Sequence, residues 1–188
     1  MGDVMGHGPG TAGRAATVLR AWRDLAAHEE TLEGVAVRLH SLIASSAEPD
    51  RFVTATLVGI RPDGTGDLVC CGHPPPLLMR GRSAVCAAVP APAPPLGLLD
   101  LDDGWCAAGC IPAGAWDRLL LYTDGVSDAT DAAGTAYPLA ECAAPLVDRP
   151  LDAFVEEVAT DLLRHAGGRL RDDASLLAAE LDGRPRGR

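Results

Sequence analysis

At residues 119–122 the chain runs through four apolar positions, Leu119, Leu120, Leu121 and Tyr122, and soon afterwards meets Asp124 and Gly125. A short continuous apolar run that stops at Asp-Gly predicts a buried strand reaching its loop, with a carboxylate at its mouth. Upstream the pattern is helical. Ala15, Val18, Leu19, Trp22, Leu25 and Ala26 recur across 11–28 at the spacing of one helix face and predict that this face is buried. Leu32, Val35, Leu39, Leu42 and Ile43 repeat the pattern across 31–47, with Thr31 placed to cap the helix. From 51 to 60 the residues turn β-branched and apolar, and turn chemistry at 62–66 followed by a second run at 68–71 predicts a hairpin. Further extended stretches are expected over 77–80, 84–89 and 105–111, with the Ala-Pro repeat at 90–95 as an exposed, extended loop. Beyond the Tyr122 strand come a loop at 132–137, a short helix at 138–146, an amphipathic helix at 151–165 and a closing strand at 173–181. Helices grouped at the front and back with strands between them predict an α+β fold.

A length of 188 residues suits one domain with a real core, placed here at 1–181, with a Gly-, Pro- and Arg-rich disordered tail at 182–188. The net charge is −10, and every basic residue is Arg, scattered among acids. No basic stripe follows a phosphate backbone, which argues against nucleic acid as a partner; excess acid suits divalent cations better. The six cysteines make no CxxC pair, which argues against structural zinc. Most lie in apolar stretches and read as buried free thiols of a reducing, cytoplasmic compartment. No signal peptide or membrane-spanning run is expected.

Three acids stand beside strand-like segments at the front, middle and end: Asp3, Asp124 and Asp173. A carboxylate at the rim of an apolar sheet needs a cationic partner, either a metal ion or an Arg. A fold that gathered all three would make an all-oxygen site, which selects Mg²⁺ or Mn²⁺. Such ions polarise phosphoryl oxygens and lower the pKa of a bound water, so phosphate-ester hydrolysis there needs no protein nucleophile.

The motifs GDVMGHG, RFVTATLV leading by a hairpin to CGHPPPLL, LLLYTDGVSDATD and DDASLL stand in this order from Gly2 to Leu181. Together they resemble the metal-dependent serine/threonine protein phosphatases of the type 2C (PPM) family, in its bacterial SpoIIE-like branch. The resemblance implies a β-sandwich flanked by helices in α-β-β-α layers, with a binuclear Mn²⁺ or Mg²⁺ centre. It implies Asp3 as the acid bridging both metals, the Val4 carbonyl as a ligand of one, and Asp124 and Asp173 as ligands of the other. Asp172 is the weaker candidate beside Asp173. Gly125 is expected to allow a close turn, and Gly6 and Gly8 to shape the loop over the metals. His7 is not assigned as a proton donor, because Met5 stands where animal members of the family carry that histidine. His73 is expected to be structural, and Asp128 and Asp131 to border the site as solvated loop acids.

The family carries an earlier strand pair with a further acid for the second metal, whereas this sequence opens one residue before Gly-Asp. The expectation is therefore a fold lacking the family's first strands, as a fragment or as a variant with a weakly held second metal and an unpaired sheet edge. The implied activity is hydrolysis of phosphoserine or phosphothreonine in a protein, with the phosphorylated antagonist of an anti-sigma factor as the implied substrate in a partner-switching pathway. The rival expectation is a catalytically weak pseudophosphatase acting as a regulatory binding module.

Overall fold

The structure, a computed structural model, describes residues 1–6, 8–45, 52–90, 92–98, 105–112, 114 and 116–180. In chain order the first elements are β1 (Gly2–Val4), α1 (Pro9–Ala26), α2 (Leu32–Ala44), β2 (Val53–Ile60), β3 (Gly66–Cys71), β4 (Leu77–Arg80) and β5 (Ser83–Cys86). They are followed by β6 (Gly109–Ile111), β7 (Arg118–Tyr122), α3 (Asp124–Ser127), α4 (Leu139–Ala143), a 3₁₀ turn (Ala144–Leu146), α5 (Leu151–His165) and β8 (Leu176–Glu180). The chain divides into one unit of Met1–His73 with Ala88–Ile111 and another of Pro74–Ala87 with Pro112–Arg188. Each is built on its own four-stranded antiparallel sheet flanked by helices, so the α+β class holds.

The first unit has strand order β1-β2-β3-β6. The hairpin of β2 and β3 closes through a turn in which the Asp63 carboxylate accepts from the Thr65 N–H at 2.9 Å, while Gly64 supplies φ 81°. The predicted cap of α2 forms: Thr31 Oγ1 accepts from the Gly34 N–H at 3.1 Å. Val35, Ala36, Leu39 and Ile43 then bury one stripe of α2 among Val53, Ala55, Leu57 and Val69 of the hairpin. The expectation for α1 needs correction. Val18, Ala21 and Leu25 are only partly buried against this core, and Leu19 and Trp22 remain 46% and 39% exposed. This helix packs on α2 and the short β1 and not across the sheet, so its apolar stripe is only half covered.

The opening Gly-Asp-Val forms strand β1, in register Gly2↔Ala55, Asp3↔Thr54 and Val4↔Val53. Three residues are too few to show a period of two, and the pairing comes from β2. The Ala-Pro repeat at 90–95, expected to be exposed, is not simply so: Ala93 is buried, as is Leu96 just beyond it. Prolines lack N–H groups, but the Ala93 N–H donates to the Cys70 carbonyl at 3.0 Å and the Leu96 N–H to the Val53 carbonyl at 2.8 Å. The segment is thereby stitched to β2 and β3 through Ala93 and Leu96.

The second unit has strand order β5-β4-β7-β8. All five residues of β7 are buried, as the continuous apolar run requires. Phe154, Val158 and Leu162 of α5 bury one stripe among Leu77 and Met79 of β4 and Leu120 and Tyr122 of β7. Each such side chain contributes on the order of 1.5–3 kcal/mol of burial free energy. The apolar run hid one charged residue. Arg118 opens β7, is 1% exposed, and pairs with Glu180, its cross-strand partner on β8. Its guanidinium also donates to the Arg149 carbonyl at 2.8 Å and lies 4.6 Å from the centre of the Phe154 ring.

Cys70 and Cys71 are buried free thiols, as expected; Cys86 and Cys110 are free but exposed, on the short strands β5 and β6 that edge their sheets. Among the described residues no helix is long and apolar enough to cross a membrane. The tail expected at 182–188 and His7 lie outside the described residues.

Candidate metal centre

In the second unit the site grows from the end of β7. Thr123 follows the strand and is 5% exposed; its hydroxyl donates to the Asp173 carbonyl at 3.2 Å and accepts from the Ser175 N–H at 2.9 Å. The Thr123 N–H donates in turn to the Ser175 carbonyl at 3.2 Å. These three bonds continue the β7–β8 pairing past the ladder's last partners, Tyr122↔Leu176, and set the segment bearing Asp173 beside the segment bearing Asp124. Sequence reasoning passed over Thr123, whose hydroxyl donates and accepts at once, because a Thr at a strand end carries no local mark of that role.

Asp124 does not enter a loop, as the Asp-Gly pair suggested. It opens the one-turn helix α3, whose backbone closes when the Asp128 N–H donates to the Asp124 carbonyl at 2.8 Å. Gly125 is indeed required there, though for space and not for a turn conformation. A Cβ built on it would lie 2.3 Å from the Asp173 carbonyl oxygen and 2.8 Å from the carbonyl carbon. Backbone meets backbone at that point, and Gly is what lets α3 and the Asp173 segment touch. The carboxylates of Asp124 and Asp173 are on exposed residues, open to an incoming ligand.

The neighbouring acids are engaged locally. Asp172 accepts from the Asp173 N–H through Oδ1 at 2.8 Å, the same local bond that Asp124 Oδ1 makes with the Gly125 N–H at 2.9 Å. Asp131 accepts from the Ala133 and Thr135 N–H groups at 2.9 and 2.8 Å, and the bond from Thr135 leads in holding its carboxyl below the usual range. Asp128 is exposed and its Oδ1 accepts from the Ser127 hydroxyl at 3.4 Å.

In the first unit Asp3 and Val4 sit on β1, with Asp3 exposed. Gly2 lets that strand approach β2 closely, since a Cβ there would lie 2.9 Å from the Thr54 carbonyl oxygen. Thr54, the register partner of Asp3, shares a hydrogen bond of 2.9 Å between its hydroxyl and His73 Nδ1. His73 is buried at 7% exposure and bonded to β2, as a structural histidine would be. Gly6 and Gly8 follow β1 with φ 104° and 92°, a backbone that favours glycine.

Asp124 and Asp173 are thus gathered in one unit, and Asp3 and Val4 stand on the edge strand of the other. Among the described residues no group of three or more His, Cys, Asp or Glu side chains is drawn together so as to hold a metal ion. The donors at hand are carboxylates and a backbone carbonyl, the oxygen chemistry that suits Mg²⁺ and Mn²⁺.

The sequence model of the family described as Stage II sporulation protein E (SpoIIE) matches residues 1–182. The chain belongs to this family, the SpoIIE-like branch of the PPM, or type 2C, phosphatases. Solved structures agree on the fold. The SiaA-PP2C domain of Pseudomonas aeruginosa superposes with a TM-score of 0.79 at 18% identity, over 96% of this chain and 74% of that one. The serine/threonine phosphatase PstP/Ppp of Mycobacterium tuberculosis gives 0.69 at 17% identity, over 97% and 87%. The RsbU and RsbW domains of another Mycobacterium tuberculosis protein give 0.68 at 26% identity, over 94% of this chain and 49% of that one. The present chain therefore spans about half the length of that two-domain relative. No curated protein sequence matches significantly.

Proposed function

We propose that the chain is a protein phosphatase that hydrolyses phosphoserine or phosphothreonine through a metal-activated water, with Asp3, the Val4 carbonyl, Asp124 and Asp173 as the metal ligands. The observation that carries this reading is the clamp of Thr123 on Asp173. It sets two carboxylates, forty-nine positions apart in sequence, on touching segments at the open end of one sheet. When bound, Mn²⁺ or Mg²⁺ supplies charge to the phosphoryl oxygens and acidity to a water. The protein's own part is to hold oxygen donors in place, and Thr123 and Gly125 do so through backbone contacts. By likeness to the RsbU domain, the substrate is a phosphorylated protein of a partner-switching pathway, the antagonist of an anti-sigma factor. The second reading, a phosphatase fold kept as a regulatory binding module, is favoured by the small size of the carboxylate group among the described residues.

The test is Mn²⁺-dependent hydrolysis of p-nitrophenyl phosphate, with Asp124→Asn as control. Turnover that saturates with Mn²⁺ and vanishes in the variant supports the enzyme; a folded protein without turnover favours the binding module.

A further inference from the structure

Two segments of the second unit run directly on from the carboxylate pair. Residues 128–134 follow α3, which Asp124 opens, and residues 166–171 lead from the end of α5 to Asp172 and Asp173. Together they enclose a cleft of about 490 Å³ whose lining includes Thr130, Asp131, His165, Gly167, Arg169 and Arg171.

The cleft is lined by two arginines, Arg169 and Arg171. Five arginines elsewhere are paired: Arg38 with Glu29, Arg61 with Asp67, Arg118 with Glu180, Arg149 with Glu157 and Arg164 with Asp161. Arg169 and Arg171 are exposed, and among the described residues neither takes part in an ion pair or hydrogen bond. Asp131 lines the same cleft, with its Oδ1 accepting from the N–H groups of its own loop, and forms no ion pair with either arginine among the described residues. His165 is likewise occupied, with Nε2 donating to the Thr135 carbonyl at 2.9 Å. Two exposed guanidinium forks in one cleft match carboxylate oxygens.

We propose that this cleft binds an acidic polypeptide segment, the stretch flanking the phosphorylated residue of the protein substrate. The identity of that polypeptide as a substrate rests on the phosphatase reading; the binding itself does not. Arg169 and Arg171 pair with side-chain carboxylates of the segment, and the cleft thereby selects which phosphoproteins are presented to the carboxylate pair.

The experiment measures fluorescence anisotropy of labelled phosphoserine peptides with the full chain, in EDTA so that no turnover intervenes. One peptide carries Glu on both sides of the phosphoserine and the other carries Gln. The Glu peptide is expected to bind about fivefold or more tightly at low ionic strength, with the preference shrinking as salt rises. Arg169→Gln with Arg171→Gln abolishes the preference, while Arg20→Gln with Arg23→Gln on exposed positions of α1 keeps it. Circular dichroism melts confirm that each variant is folded. Equal binding of the two peptides, or a preference that survives Arg169→Gln with Arg171→Gln, overturns the proposal. Hydrolysis of p-nitrophenyl phosphate, which has no flanking residues, is assayed separately on the wild-type protein. Its absence would sink the phosphatase reading and leave the peptide preference to decide this one.

Discussion

The Thr123 hydroxyl donates to the Asp173 carbonyl at 3.2 Å across fifty positions of sequence. Thr123→Val keeps the shape and removes the hydroxyl, leaving the Asp173 carbonyl and the Ser175 N–H without that partner. The expected cost is about 1–3 kcal/mol in urea unfolding, together with a rise in the Mn²⁺ concentration needed for half-maximal activity. Unchanged stability and unchanged metal dependence would show that the clamp holds nothing.

Gly125→Ala forces a Cβ to within 2.3 Å of the Asp173 carbonyl oxygen unless the backbone shifts. Backbone displacement of this kind costs about 1–3 kcal/mol, and the loss should appear both in stability and in activity. Gly13→Ala is the matching contrast. Gly13 lies within α1 with open space around its missing Cβ, so the substitution should stabilise by about 0.5–1 kcal/mol with activity unchanged. Thermal melts of the two variants should therefore move in opposite directions.

Glu180→Gln tests the ion pair at the other end of β7. Arg118 is 1% exposed, so loss of the opposing carboxylate leaves a buried cation with less compensation. A destabilisation of about 2–3 kcal/mol is expected, below the range for fully buried pairs because the Glu180 side chain keeps 28% exposure. Denaturant midpoints measure it, and a double variant with Arg118→Met should recover part of the loss.

Asp131 gives a pH dependence. Hydrogen bonds, that from the Thr135 N–H first, hold its folded pKa below the unfolded value. Its contribution is therefore present above the unfolded pKa, near 3.9, and is lost as pH falls through the lower folded value. Asp131→Asn should be less stable than wild type near neutrality, and the gap should close on acidification through that window. A gap that stays constant with pH would contradict the assignment.

Much of the fold was legible because long periodic segments announce themselves. The helix at 151–165 and the strand at 77–80 match α5 and β4 residue for residue, and Thr31 caps α2 as its side-chain chemistry demands. What was not legible depends on partners distant in sequence. The strand character of Gly2–Val4 comes from β2, the burial of Ala93 and Leu96 from β2 and β3, and the burial of Arg118 from Glu180 and Phe154. Within the site, the acids could be named from their motifs, and Asp124 and Asp173 do stand on touching segments. The hydroxyl that joins those segments could not be named, because nothing local distinguishes Thr123 from any threonine at a strand end. The free arginines of the cleft were equally silent, since being unpaired is a property of surroundings and not of sequence.

The five-position ladder between β7 and β8 runs from Arg118↔Glu180 to Tyr122↔Leu176 and carries the ion pair at one end and the carboxylate-bearing segments beyond the other. It works as a spacing gauge. A slip of one residue would move β8 by about 3.3 Å and turn each of its side chains to the opposite face. The same slip would strand the Arg118 charge in the core and pull Asp173 out of line with Asp124. A molecule with a misaligned site would thus also be one with a broken core, so faulty copies would unfold and be cleared instead of persisting as inactive proteins.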